Sequence, residues 1–135
     1  MTEFSIDERL LNDCHVLAET DGLSFLLHGN AEVAWFVIVP HVDQTEFYQL
    51  DVDLQHRLCK QIELLSRFIK LNFISDKINV ATIGNVVSQM HIHVIGRRED
   101  DLYWPDVVWG RDFNKTYDAE RVVLIGEQLN AILKP

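Results

Sequence analysis

The sequence predicts an α+β fold: an antiparallel sheet with a long helix and terminal helices packed on it. Three observations carry this. Apolar runs come in pairs joined by short Gly/Asn turns, which favours hairpin-like antiparallel pairing. A single extended stretch after Asp51 repeats its apolar residues at steps of four and three, as a helix requires. No strand–helix–strand alternation opens on a glycine-rich turn, which argues against a dinucleotide-binding fold.

The elements follow in order. Ser5 or Asp7 can cap a first helix whose Leu10, Leu11, Cys14 and Leu17 recur at helical spacing, and Asp21-Gly22 then marks a turn. LSFLLH (Leu23 to His28) reads as a strand, Gly29-Asn30 as a turn, and AWFVIVP (Ala34 to Pro40) as a second strand. The second strand is apolar on both faces, the pattern of a central strand covered on both sides, and Pro40 ends it by removing a backbone donor. Asp51 or Asp53 starts the long helix, which carries Leu54, Leu58, Ile62, Leu65 and Ile69 on one stripe. Leu64, Phe68 and Leu71 widen the stripe, which fits either deep burial in the chain's own core or a contact with a second subunit. Ser75-Asp76 breaks the helix. KINVATI (Lys77 to Ile83) is the next strand, Gly84-Asn85 its turn, and SQMHIHVIGR (Ser88 to Arg97) the strand after it. A turn-rich segment from Glu99 to Lys115 leads to a last helix from about Asp118 to Leu133, with Val122, Ile125, Leu129 and Leu133 on one face.

The bulk properties bound the function. With 135 residues and 47% hydrophobic content, the chain suits one domain (1–135) with a genuine core. A charged fraction of 24% is ordinary for a globular protein. The formal net charge of −9 excludes a whole-surface nucleic-acid binder but leaves room for a small anion at a locally positive site. No apolar run reaches the roughly 20 residues of a membrane span. No signal peptide is visible, and Cys14 and Cys59 match no metal or redox spacing, so they read as reduced thiols. Together these point to a cytoplasmic protein without membrane or nucleic-acid partners.

The chemistry concentrates in SQMHIHVIGR. Side chains of a strand alternate faces, so Gln89, His91 and His93 point one way and Met90, Ile92 and Val94 the other, into the core. Residues two apart lie roughly 6.6–6.8 Å apart along a strand, close enough for two imidazoles to address one phosphate or one metal ion. Three uses compete. The pair can simply face solvent. It can ligate zinc, with Glu99, His28 or His41 as a third ligand, although none has diagnostic spacing. It can serve nucleophilic catalysis on phosphorus. That requires one imidazole with a free nitrogen, its tautomer fixed by a carbonyl at the other nitrogen, and a second histidine holding phosphoryl oxygens.

The segment NVVSQMHIHVIGR (Asn85 to Arg97) resembles the signature of the histidine triad family of nucleotide hydrolases and transferases, His-φ-His-φ-His-φ-φ with φ apolar. Gln89 stands where the first histidine is expected, as in a bacterial branch of the family. Trp104-Pro105, Val108-Trp109-Gly110 and the Leu26 to Pro40 strand pair also look like that branch. The resemblance implies that His91 attacks the α-phosphorus of a purine nucleotide conjugate or dinucleoside polyphosphate, forming a nucleotidyl-histidine. It implies that His93 holds phosphate oxygens, that Gln89 flanks them with its amide, and that Asn85 and, more weakly, Asn79 line the phosphates. Asn30 is the implied ribose contact, and Arg97 can carry phosphate charge or pair with Glu99 or Asp100. The expected partners are a small-molecule nucleotide and a second copy of the chain in a homodimer; no cofactor or metal is implied. An amide cannot donate a cationic proton at neutral pH, so a nucleotide-binding module with little turnover is the alternative reading, and a metalloprotein using His91 and His93 is another.

The remaining candidates read blandly. His28 ends a strand beside a turn, as a structural histidine. His41 follows Pro40 and can approach a cleft. His15 and His56 read as solvated surface. Trp104 and Trp109 can stack a nucleobase but fit loop or subunit anchoring better.

Overall fold

The computed structural model describes residues 3–133; residues 1–2 and 134–135 of the predicted domain lie outside the described residues. A short helix α1 (Glu8–Asp13) leads into strands β1 (Cys14–Thr20), β2 (Leu23–His28) and β3 (Ala34–Pro40). Helix α2 (Val52–Asn72), strands β4 (Lys77–Ala81) and β5 (Ile92–Arg97) and helix α3 (Ala119–Leu133) complete the order. The five strands form one sheet in the order β1-β2-β3-β5-β4, every neighbouring pair antiparallel. The α+β expectation therefore holds.

The second half of the expected first helix is a strand. The first helix stops at Asp13, and Cys14–Thr20 pairs with β2 from Cys14 opposite His28 to Thr20 opposite Leu23. The Leu10, Leu11, Cys14, Leu17 spacing mimics a helix across what is in fact a helix–strand boundary. The stronger signal is Asp21-Gly22. Both residues have positive φ (50° and 75°), the geometry of a two-residue turn whose twist matches a hairpin. The histidine strand is also shorter than expected: pairing starts at Ile92, so Gln89 and His91 lie on the extended approach to it.

The sheet buries both faces differently. On one, Phe25, Leu27, Phe36, Ile38, Ile92 and Val94 pack against Leu58, Leu65 and Ile69 of α2 and Ile125 and Leu129 of α3. Each fully buried aliphatic side chain stabilises the fold by about 1.5–3 kcal/mol relative to exposure. The α2 helix sits so low over β5 that a Cβ at Gly96 would lie 2.5 Å from both Ile69 Cγ2 and Ser75 Oγ; only glycine admits this approach. On the other face, Leu26, Trp35, Val37, Val39 and Ile95 are covered by Leu10 of α1 and by irregular chain, including Phe4, Ile6, Val87, Tyr103 and Val108. β3, central in the sheet, is buried throughout, as its two-sided apolar pattern predicts. Among the described residues, no helix is long and apolar enough to cross a membrane.

Candidate active site

The irregular cover does not close over the whole second face. Between α1, the Ile83–Val87 loop and the Trp109-Gly110 turn it leaves a cleft of about 610 Å³. Its floor is Trp35 and Val37 of β3 with His91 and His93. Such a volume suits a small ligand.

Both histidine rings face this cleft. Their centroids lie 4.9 Å apart at 75° to one another. His91 Nδ1 is 2.7 Å from the Gln89 carbonyl oxygen. A carbonyl only accepts, so Nδ1 carries the proton and the Nε2 lone pair of neutral His91 is left free. His93 is fixed the opposite way. Trp35 Nε1–H donates to His93 Nδ1 at 2.9 Å, and an indole cannot accept, so the proton of neutral His93 sits on Nε2. The site thus pairs an open nitrogen on His91 with an N–H donor on His93. His93 is also held neutral: burial pushes its pKa down to about 3, with His91 and His28 opposing its charge further. Trp109 meets His93 edge-on at 5.1 Å, and its own indole nitrogen is buried and unpartnered among the described residues.

His28 lies in the cleft wall rather than in a purely structural position. Its ring stacks on Trp35 at 3.9 Å and 8°, and its Nδ1 accepts from the Asn30 backbone N–H at 3.0 Å. Burial lowers its pKa. A second hollow of about 480 Å³ continues past His28 and Trp35 toward Asn30, Arg111 and Phe113.

The structure redistributes the other expected site residues. Asn85 lines the cleft with the histidines. Gln89 does not. Its side-chain oxygen accepts from the Asp7 backbone N–H and its amide donates to the Ser5 carbonyl, both at 2.8 Å. Because β5 begins after it, residue 89 is free of the strand's alternation and turns toward the N-terminal segment. Arg97 lies on the face of His93 but is 2% exposed and locked to Asp101 by two hydrogen bonds, so burial and pairing remove it from any phosphate. Asn79 accepts from Arg97 at 3.1 Å and lies outside the cleft. Asn30 is buried and spends its amide on Tyr103 Oη and its side-chain oxygen on the Glu32 N–H, which removes it as a free ribose contact. Trp104 covers Arg97 at 5.7 Å, an anchoring role, whereas Trp109 borders the cleft. His41 pairs with Ser24 Oγ and stacks on Phe4 away from the histidine pair. Among the described residues, no three His, Cys, Asp or Glu side chains cluster closely enough to hold a metal ion.

Sequence reasoning missed Trp35, which sets the state of His93, and Arg9, Asn12, Asp13 and Cys14, which form the wall opposite. The Cys14 thiol stays protonated there, since burial pushes its pKa to about 12.

Comparison with known proteins fits this geometry. The HIT domain model matches residues 9–100. A histidine triad protein from Marinobacter aquaeolei is similar in structure at 34% identity, with 98% of each chain covered and a TM-score of 0.89. One from Bradyrhizobium japonicum shares 32% identity over 96% of this chain and 98% of its own, with a TM-score of 0.88. One from Sinorhizobium meliloti shares 29% over 95% and 96%, also at 0.88. A search of curated proteins found no match. A chain with this sheet, this paired-histidine cleft and these likenesses belongs to the histidine triad, or HIT domain, family.

Proposed function

We propose that the protein is a nucleotide hydrolase or nucleotidyl transferase acting at the α-phosphate of purine nucleotide conjugates or dinucleoside polyphosphates. The observation that supports this best is the opposed pair of tautomers. His91 Nε2 attacks the α-phosphorus, and the bond to the leaving group breaks with its electron pair. The Nδ1–H bond to the Gln89 carbonyl strengthens as His91 gains positive character. His93 Nε2–H donates to a phosphoryl oxygen as charge builds there. Water, which releases its proton to solvent, or an acceptor phosphate then attacks phosphorus, breaks the N–P bond and returns its electron pair to His91 Nε2, leaving His91 neutral. Asn85 assists the phosphates from the Ile83–Val87 loop, and the flank of Trp35, His28 and Leu10 receives the nucleoside.

His93, held neutral, offers a hydrogen bond and not a cationic proton, and Gln89 is turned away, so the leaving group takes its proton from solvent. Leaving groups that depart as stable anions are therefore favoured over amines. The same observation favours a second reading, a nucleotide-binding module with little turnover. We further propose a cytoplasmic homodimer. Leu71 near the end of α2, Ile74 just beyond it and Val80 on edge strand β4 are 85%, 81% and 49% exposed, large apolar side chains that a second copy could cover.

The test is incubation with a fluorescent adenosine phosphoramidate and with a dinucleoside polyphosphate, with chelator present. Turnover with an acid-labile nucleotidyl adduct, both lost in His91→Ala, supports the enzyme. Tight nucleotide binding without product supports the binding module. Turnover retained in His91→Ala refutes covalent catalysis by that residue.

A further inference from the structure

Among the described residues lining the cleft, Arg9 is the one lysine or arginine, in the wall built from residues 9–14. Its placement is specified at three points. Nε and NH2 form a fork on the two oxygens of Asp7, at 3.0 and 2.8 Å. NH1 donates to the Val86 carbonyl at 2.9 Å, in the loop that also carries Asn85. A guanidinium has five N–H groups. Three are committed here, so two remain, on a side chain that is 57% exposed. Asp7 in turn is held by Gln89, which grips the backbone on both sides of Ile6 through the Asp7 N–H and the Ser5 carbonyl. Gln89 therefore does two things at once. Its backbone carbonyl orients His91, and its amide moors the segment that presents Arg9.

A dianionic phosphate approaching a protein of net charge −9 needs local positive charge. Arg97 and Arg9 are each forked on an aspartate, but Arg97 is 2% exposed whereas Arg9 is 57% exposed and lines the cleft; His93 is held neutral and supplies no charge. We infer that Arg9 is the phosphate-binding cation of this cleft and that Gln89 is a positioning residue that holds it there through Asp7. The inference rests on the nucleotide reading above and extends it. The residue at the first triad position acts through the N-terminal segment, and the charge it lacks is delivered by Arg9 from the far end of the chain. Arginine suits the task, since a planar fork already clamped on one edge retains donors for a phosphate oxygen.

The experiment measures calorimetric affinities of AMP and of adenosine for the wild type, Arg9→Gln, Arg9→Lys, Gln89→Ala and the Arg9→Gln/Gln89→Ala double variant. Adenosine shares the nucleoside but lacks the phosphate, so its retained affinity certifies a folded cleft. Arg9→Gln is expected to lose about tenfold in AMP affinity while adenosine binding changes less than about twofold, with partial recovery in Arg9→Lys. Gln89→Ala is expected to lower AMP affinity selectively, and the double variant to bind AMP no more weakly than Arg9→Gln alone. An unchanged AMP-to-adenosine ratio in Arg9→Gln overturns the assignment of Arg9. Losses that simply multiply in the double variant overturn the positioning role of Gln89. If the wild type binds neither compound, the nucleotide reading itself falls and takes this inference with it.

Discussion

The enforced neutrality of His93 has a measurable cost in acid. Unfolded, the imidazole titrates near its ordinary value of 6.5; folded, it resists protonation until about pH 3. Between these values the unfolded chain binds a proton that the native chain refuses. Stability is therefore fully present above about pH 6.5 and lost as the pH falls below it. Each pH unit in that window removes about 1.36 kcal/mol, so acidification from about pH 7.5 to about pH 5 removes about 2 kcal/mol through this residue alone. His93→Asn isolates the effect. An asparagine carbonyl at this position can accept from Trp35 Nε1 as His93 Nδ1 does, but it does not titrate. Urea unfolding of both proteins at the two pH values gives the comparison. Other titrating groups, His28 among them, act in both and cancel in the difference. The wild type should lose about 2 kcal/mol more than the variant across the interval. Equal losses would show that His93 is not held neutral and would remove the argument for its role as a plain N–H donor.

Three further outcomes follow from contacts described above. Trp35→Phe leaves His93 Nδ1 buried without its donor, so stability should fall by about 1–3 kcal/mol in denaturant unfolding; if the protein turns over, kcat should drop more than KM changes. Gly96→Ala forces a methyl group against Ile69 and Ser75, and overpacking of this kind costs about 1–3 kcal/mol, read as a lowered Tm. Asp101→Ala strands the Arg97 guanidinium without its counter-charge and should destabilise by about 3–5 kcal/mol, whereas a rim pair such as Arg98–Asp100 should contribute less than about 1 kcal/mol.

Local pattern made much of the architecture legible. β2 and β3 are where their apolar runs place them, and α2 and α3 follow their stripes within a residue or two. What escaped was set by tertiary contact. β1 is an edge strand with His15, Val16 and Glu19 exposed, so its alternation is faint, and its fit to β2 is decided by a hairpin turn and not by its own periodicity. The His91–His93 juxtaposition follows from a spacing of two, which sequence displays directly. The groups that govern it come from afar: Trp35 reaches His93 across 58 positions, Arg9 reaches Val86 across 77, and Gln89 reaches Ser5 across 84. No window along the chain contains both members of such pairs. Arg97 misled for a related reason. It shares a face with His93, but the turn that folds Asp101 back onto it is invisible to a count of alternation.

The split character of β3 has a consequence for how this molecule can diversify. Its even-numbered residues, Phe36 and Ile38, serve the helix-covered layer, while its odd-numbered residues, Trp35 and Val37, floor the cleft. Adjacent codons therefore govern separable properties. Mutational libraries confined to the odd positions and the irregular cover can reshape ligand choice on an intact scaffold, while changes at the even positions spend thermal tolerance without altering what enters.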